Sequence, residues 1–260
     1  MPTPRSLTLR PGLDVSVRET GHGSPVLVLH GGPGPGSVGP LVGHLAREHA
    51  VVAPTHPGWE DTVRPEDLDS VPALAAAYLD LLRRLDLKDV TVLGTSFGGW
   101  VATQTALDDR ERRVSRLVLI DAVGPVVAGH PVTAPTGPPP GVPASPAPAG
   151  EPAAPRRGPS PASMAALRAY AGPTMGDPGL LSRLPDLTVP VLVLWGEEDT
   201  VATPAFGRAY AAAFPDARFA LIPGAGHLPL REKPEEVFAA LDAFLGPKDP
   251  ATRHRPDPLT

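Results

Sequence analysis

A serine set between two glycines at a corner of the chain limits the possible folds more than any other feature. Val90, Val92 and Leu93 read as a short buried strand, Gly94-Thr95-Ser96-Phe97-Gly98 spells G-x-S-x-G, and Val101 to Leu107 reads as a helix. A serine thrust out at such a strand-to-helix turn sits in a strained backbone conformation, and the flanking glycines leave room for the strand and helix to cross. The turn exposes the hydroxyl and sets the following N–H groups at a helix N-terminus, where developing negative charge is stabilised. The pattern alone arises by chance in chains rich in glycine and serine, so its surroundings decide.

Those surroundings alternate strand with helix. Leu7 to Arg10 and Val15 to Glu19 alternate apolar and polar residues around Pro11-Gly12, as an antiparallel hairpin half open to water does. Val26 to Leu29 is apolar on both faces, the pattern of a strand covered by helices on both sides, and it runs into the loop His30-Gly31-Gly32-Pro33-Gly34-Pro35-Gly36. A helix is expected near Val38 to Glu48, a strand at Val51 to Ala53, and an amphipathic helix from Leu68 to Leu85. Further strands are expected at Leu117 to Ile120, Val189 to Trp195 and Arg218 to Ile222, and further helices at Pro204 to Phe214 and Pro234 to Leu245. Strands and helices in alternation, joined by short loops, imply a mostly parallel sheet wound on both faces.

Proline breaks this grammar in one place. Of the 37 prolines in 260 residues, 13 fall between Pro125 and Pro161, a density at which neither helix nor sheet ladder survives. The division expected is therefore a core of residues 1–121 and 187–246, an insert of 122–186 that is mobile at 125–161 with one short helix from Ala162 to Ala171, and a loose tail of 247–260. Bulk properties narrow the function. A net charge of -5 gives no electrostatic footprint for nucleic acid, and the absence of cysteine excludes disulfides, thiolate metal sites and a cysteine nucleophile. No apolar run reaches the length of a membrane span and the N-terminus lacks an apolar leader, so the expected location is the cytoplasm.

In wound sheets of this kind, reactive groups gather in loops beyond the carboxyl ends of the strands. Four such loops hold reactive chemistry: His30 to Gly34, Ser96, Asp199 in Gly196-Glu197-Glu198-Asp199, and His227 in Gly224-Ala225-Gly226-His227. Their order, Ser then Asp then His, with the G-x-S-x-G corner and the His-Gly-Gly-Pro loop, resembles the serine-nucleophile branch of the α/β-hydrolase superfamily. The resemblance covers nearly everything but the proline-rich insert and the tail. It implies an eight-stranded, mostly parallel sheet with helices on both faces and a short, proline-rich, degenerate lid. It also implies a nucleophile after the fifth strand, an acid after the seventh and a histidine after the eighth, which fall on Ser96, Asp199 and His227.

In that scheme His227 takes the proton of Ser96 as it attacks a carbonyl, and Asp199 orients the imidazolium. The oxyanion is received by the backbone N–H groups of Gly32 and Phe97. His30, Trp59, Trp100, Val201 and Leu228 are expected to line or support the substrate side; the tryptophans also fit a plain core role. Asp199 can also be read as a helix N-cap, and Asp121, at the end of the preceding strand, is a second claimant for the acid. The remaining histidines, His22, His44, His49, His56, His130 and His254, are expected on the surface or in loops.

The expected activity is hydrolysis of an ester, lactone or thioester of a small, mostly apolar acyl compound, with no cofactor and no metal. The loop also resembles that of proline iminopeptidases, but Glu151 is the only acid between Asp121 and Asp177 with which to read a free amino terminus. A cyclase, a decarboxylase or a ligand-binding protein using the same pocket are the other readings. The expected partner is a small molecule, with the oligomeric state open between monomer and dimer.

Overall fold

The computed structural model describes residues 3–133, 160–172 and 174–246. Eight strands form one sheet: β1 (Arg5–Arg10), β2 (Leu13–Thr20), β3 (Ser24–Leu29), β4 (His49–Pro54), β5 (Val90–Thr95), β6 (Val114–Ile120), β7 (Val191–Gly196) and β8 (Ala217–Ile222). Their order across the sheet is β1-β2-β4-β3-β5-β6-β7-β8. Only β2 runs against the rest, since it pairs antiparallel with both β1 and β4 while every other pairing is parallel. The tight turn at Pro11-Gly12, with Gly12 at a φ of 81°, makes that reversal.

The two-faced apolar strands divide the core into two layers. Leu27 and Leu29 of β3, with Val92, Leu119 and Val193, face one cluster; Val26 and Val28, with Leu93, Val118 and Leu192, face the other. The period of two along each strand sends alternate side chains to opposite faces, so a strand buried on both sides carries no polar position. The first face is covered by α2 (Val71–Arg84), α3 (Phe97–Asp108) and α6 (Pro204–Ala212); the second is covered by α1 (Gly39–Leu45) and α8 (Pro234–Leu245). The remaining helices are α4 (Pro161–Ala171) and the single turns α5 (Leu180–Arg183) and α7 (Pro229–Glu232).

Helix ends follow local chemistry. Ser70 caps α2 by accepting from the Ala73 N–H at 3.4 Å, and Arg83 and Arg84 lie in its last turn, where they complement the exposed carbonyls. Several bounds differ by a few residues from the periodicity of the sequence, and two of these differences have a clear local form. The run near Val38 opens as a 3-10 turn, Pro35–Val38, before α1, which stops at Leu45. Helix α3 begins four residues early, at Phe97, and is buried without a break from Phe97 to Ala106. A helix buried all round shows no amphipathic period, so its start could not be seen in the pattern.

Most of the stretch expected to lack regular structure, 134–159, lies outside the described residues, as does 247–260. The residues that lead into it are tied down. Val126 N–H donates to the Asp177 carbonyl at 3.2 Å, Asp177 N–H to the Gly124 carbonyl at 2.7 Å, and Thr133 N–H to the Val201 carbonyl at 2.8 Å. The helix expected from Ala162 to Ala171 is α4, capped by Ser160, which accepts from the Ser163 N–H at 3.0 Å. Among the described residues no helix is long and apolar enough to cross a membrane.

Candidate active site

The parallel register brings the carboxyl ends of β3, β5, β7 and β8 to one edge. There the chain leaves β5 through Ser96, whose backbone sits at φ 49° and ψ -117°, a left-handed region that costs a non-glycine residue on the order of 1–3 kcal/mol. Neighbouring elements hold it: Ser96 N–H donates to the Ile120 carbonyl at 3.0 Å, and the Ser96 carbonyl accepts from Gly99 N–H at 3.0 Å and Val123 N–H at 3.2 Å. The glycines have the steric purpose read from the sequence. A side chain at Gly98 would collide with the carbonyls of Leu29 and His30, and one at Gly94 with the backbone of Gly98 and Gly99.

From this corner Ser96 Oγ donates to His227 Nε2 at 3.0 Å, and His227 Nδ1–H donates to Asp199 Oδ2 at 2.8 Å. Asp199 is 3% exposed, and its other oxygen accepts from Val201 N–H at 2.8 Å and Ala202 N–H at 3.1 Å. The carboxylate is thereby satisfied on both oxygens, which fixes its plane against the imidazole. The N-cap alternative for Asp199 is overturned, because Thr203 caps α6 by accepting from Phe206 N–H. Of the two acids at strand ends, Asp199 holds His227. Asp121 accepts instead from Gly196 N–H at 2.8 Å, and burial, reinforced by the charge of Asp199, pushes its carboxyl well above the usual carboxylate range.

Asp121, Asp199 and His227 place potential ligand atoms within 4.8 Å of one another, the one such metal-compatible group among the described residues. The nitrogen that a cation there would need already donates to Asp199, and the other ring nitrogen faces Ser96. An arrangement of this geometry can pass a proton along a line and stabilise an imidazolium at its centre.

The loop on the other side of Ser96 is shaped by a buried network. His30 Nδ1–H donates to the Gly31 carbonyl at 2.7 Å, and His30 Nε2 accepts from His56 N–H at 3.0 Å. His56 Nε2–H donates to the His30 carbonyl at 2.8 Å, and the Tyr78 hydroxyl donates to His56 Nδ1. His56 is thus no surface residue: it is fully buried, because the loop after β4 folds inward onto β3 and finds both a carbonyl and a phenol there. Burial lowers His30 from the usual histidine value to about 4 and holds His56 well below that usual value. Both rings are neutral, as their hydrogen-bond partners require.

The tryptophans also lie inward. Trp59 is 1% exposed, and its indole N–H donates to the Gly32 carbonyl at 2.9 Å. Its ring is stacked on Phe97, with centroids 6.0 Å apart, and on Tyr170 of α4 at 6.2 Å. Trp100 is buried edge-on against Phe97 and closes over Gly124. Of the other expected pocket residues, Val201 contributes its N–H to Asp199, and Leu228 is half-buried beside His227 at the start of α7. As the first residue of α3, Phe97 has an N–H of the kind that finds no acceptor within a helix.

Sequence reasoning missed Tyr78, Tyr170 and Glu232. Tyr78 reads as one more apolar position on α2, and Tyr170, whose hydroxyl donates to the Pro57 carbonyl at 3.0 Å, lies 113 residues from its partner. Glu232 accepts from Gly226 N–H at 2.5 Å and so braces the histidine loop. None of the three has a local signal that names its partner.

The profile of the alpha/beta hydrolase family matches residues 26–241, and the chain belongs to that family. It is 26% identical over 269 residues to an uncharacterised protein of Mycobacterium tuberculosis, covering 90% of this chain and 79% of the relative. It is 33% identical over 124 residues to a 2-hydroxy-6-oxo-2,4-heptadienoate hydrolase of Pseudomonas putida, covering 45% of this chain and 44% of that enzyme. Among solved structures, a thermophilic esterase from Thermogutta terrifontis superposes with a TM-score of 0.72 at 24% identity, covering 94% of this chain and 98% of the esterase. The protein is a hydrolase by family, with an eight-stranded α/β sheet of the matching kind.

Proposed function

We propose that this hydrolase cleaves an ester, lactone or thioester of a small, mostly apolar acyl compound through an acyl-enzyme on Ser96. The observation that carries the reading is the unbroken line from Ser96 Oγ to His227 Nε2 at 3.0 Å and from His227 Nδ1 to Asp199 Oδ2 at 2.8 Å. Ser96 attacks the acyl carbon while its proton passes to His227; the resulting imidazolium is stabilised by Asp199 and gives the proton to the leaving group. Water activated by the same histidine then releases the acid. The negative oxygen of each tetrahedral species falls to the N–H groups of Phe97 and Gly32, the first reinforced by the N-terminal end of α3. Apolar surface beside those amides comes from Phe97 itself and from Leu167, which packs against Gly32.

Reaction with a fluorophosphonate, followed by peptide mapping, tests the nucleophile: the expected adduct is on Ser96 and is absent from Ser96→Ala. Folded protein that stays unlabelled would falsify the reading. A panel of p-nitrophenyl esters of rising acyl length, with Ser96→Ala as the blank, then grades the acyl preference.

A second reading is favoured by the Pseudomonas putida relative: hydrolysis of a 2-hydroxy-6-oxo-dienoate. Turnover of 2-hydroxy-6-oxo-2,4-heptadienoate, followed by loss of its visible absorbance, with no turnover of the ester panel, would select it.

A further inference from the structure

A buried acid stands directly behind the acid that holds the histidine. Asp121 is 1% exposed at the end of β6, in a left-handed backbone conformation with φ 44°, and its N–H donates to the Leu194 carbonyl at 3.0 Å. One oxygen accepts from Gly196 N–H at 2.8 Å. The other, Oδ2, is sealed from solvent and has no hydrogen-bond partner among the described residues. A carboxyl oxygen of Asp121 lies within 4.8 Å of one on Asp199 and of a ring nitrogen of His227.

Two carboxylates this close in a dry site cannot both be ionised, and the distribution of donors decides which one is. Three converge on Asp199: the N–H groups of Val201 and Ala202 and the imidazole of His227. One reaches Asp121. The other charge that bears on Asp121 is also acidic, Glu232 of α7, and no Lys or Arg is paired with it among the described residues. The negative charge of the pair therefore settles on Asp199 and the shared proton on Asp121. Because Oδ1 is occupied as an acceptor, the proton belongs on Oδ2, and there it turns an orphan acceptor into a donor.

We propose that Asp121 is held as a neutral carboxylic acid whose Oδ2–H donates to Asp199, making it a positioning residue for the carboxylate that orients His227. The functional meaning rests on the Ser-His-Asp reading; the protonation state does not. A neutral donor behind Asp199 keeps that carboxylate aligned without adding a second negative charge beside the imidazole. It also tempers the pull of Asp199 on the imidazole proton.

The test compares wild type with Asp121→Asn, which keeps an acceptor for Gly196 and a donor for Asp199, and with Asp121→Leu, which keeps neither. Infrared spectra at neutral pH are expected to show the carbonyl stretch of one un-ionised carboxyl group, shifted in heavy water, that is missing from Asp121→Asn. The His227 midpoint, followed by NMR of labelled histidine, is expected to stay in place in Asp121→Asn and to rise in Asp121→Leu. A missing infrared band in wild type overturns the proposal. So does a His227 midpoint that falls in Asp121→Asn by on the order of one to two pH units, the loss expected if a full negative charge is removed from about 5 Å away. If Asp121→Leu does not fold, the Asp121→Asn readings decide alone. Failure of the hydrolase reading appears separately, as absence of the fluorophosphonate adduct, and leaves both spectroscopic results standing.

Discussion

Two buried polar clusters flank Ser96, and burial has been used differently in each. Beneath the loop after β3, the side chains of His30, His56 and Tyr78 form a closed set in which every ring is neutral and every polar atom has a partner. Across the serine, His227 and Asp199 keep a carboxylate and an imidazole in contact, with Asp121 behind them. The first cluster holds a backbone loop in place. The second holds a charge ready to change. A buried polar network with no net charge is rigid and indifferent to the reaction, whereas a network with one carboxylate responds when a proton arrives.

If that contrast is right, the largest loss comes from the charged side. Ser96→Ala or His227→Ala should lower kcat roughly 10^6-fold with KM little changed, measured on the best ester of the panel. A loss below a hundredfold would mean that the pair does not do the chemistry. Asp199→Asn should cost about 10^4-fold at neutral pH, because the amide favours the wrong imidazole tautomer while leaving the packing intact.

The neutral side should report in stability. His30 and His56 are uncharged in the fold but take up protons in the unfolded chain below the ordinary histidine value near 6.5. The stability they contribute is complete above that value and drains away as pH falls toward the folded value. For His30, lowered to about 4, the loss is on the order of 3 kcal/mol, readable from urea midpoints across that window. His56→Phe should flatten the acid limb, and a slope unchanged by it would break the comparison. Tyr78→Phe removes the donor to His56 Nδ1 and should cost about 1–3 kcal/mol at neutral pH while sparing the rate of fluorophosphonate labelling. The smallest effect is expected from Trp59→Phe. It keeps an aromatic ring between Phe97 and Tyr170 but loses the N–H on the Gly32 carbonyl, and about tenfold in kcat should follow through a looser oxyanion loop.

The same contrast separates what could be read from the sequence from what could not. Gly94, Ser96 and Gly98 were legible because their meaning is local: a corner this sharp needs bare backbone on both sides, and the chain shows it within five residues. Asp199 was the expected acid, but Asp121 stayed a rival, since each follows an apolar strand. What separates them is the distance to a histidine that arrives more than a hundred residues after Asp121 and 28 after Asp199. His56 lies in a loop, as expected, but its burial was hidden for a similar reason. In Thr55-His56-Pro57-Gly58-Trp59 it has the neighbours of an exposed loop, and its burial depends on a carbonyl of β3's exit loop and a phenol on α2. Polarity along the chain foretells contact with water only where no distant partner is waiting.

The left-handed corner at Ser96 also limits which residues can serve as a nucleophile there. With its N–H and carbonyl anchored to β6, α3 and the chain beyond β6, the backbone has no slack with which to accept a second heavy atom on Cβ. Threonine, although it carries a hydroxyl, is expelled by its own methyl, while unbranched cysteine or aspartate can stand in the same place. The chemistry open to this scaffold at position 96 is therefore chosen by torsion angles before it is chosen by reactivity.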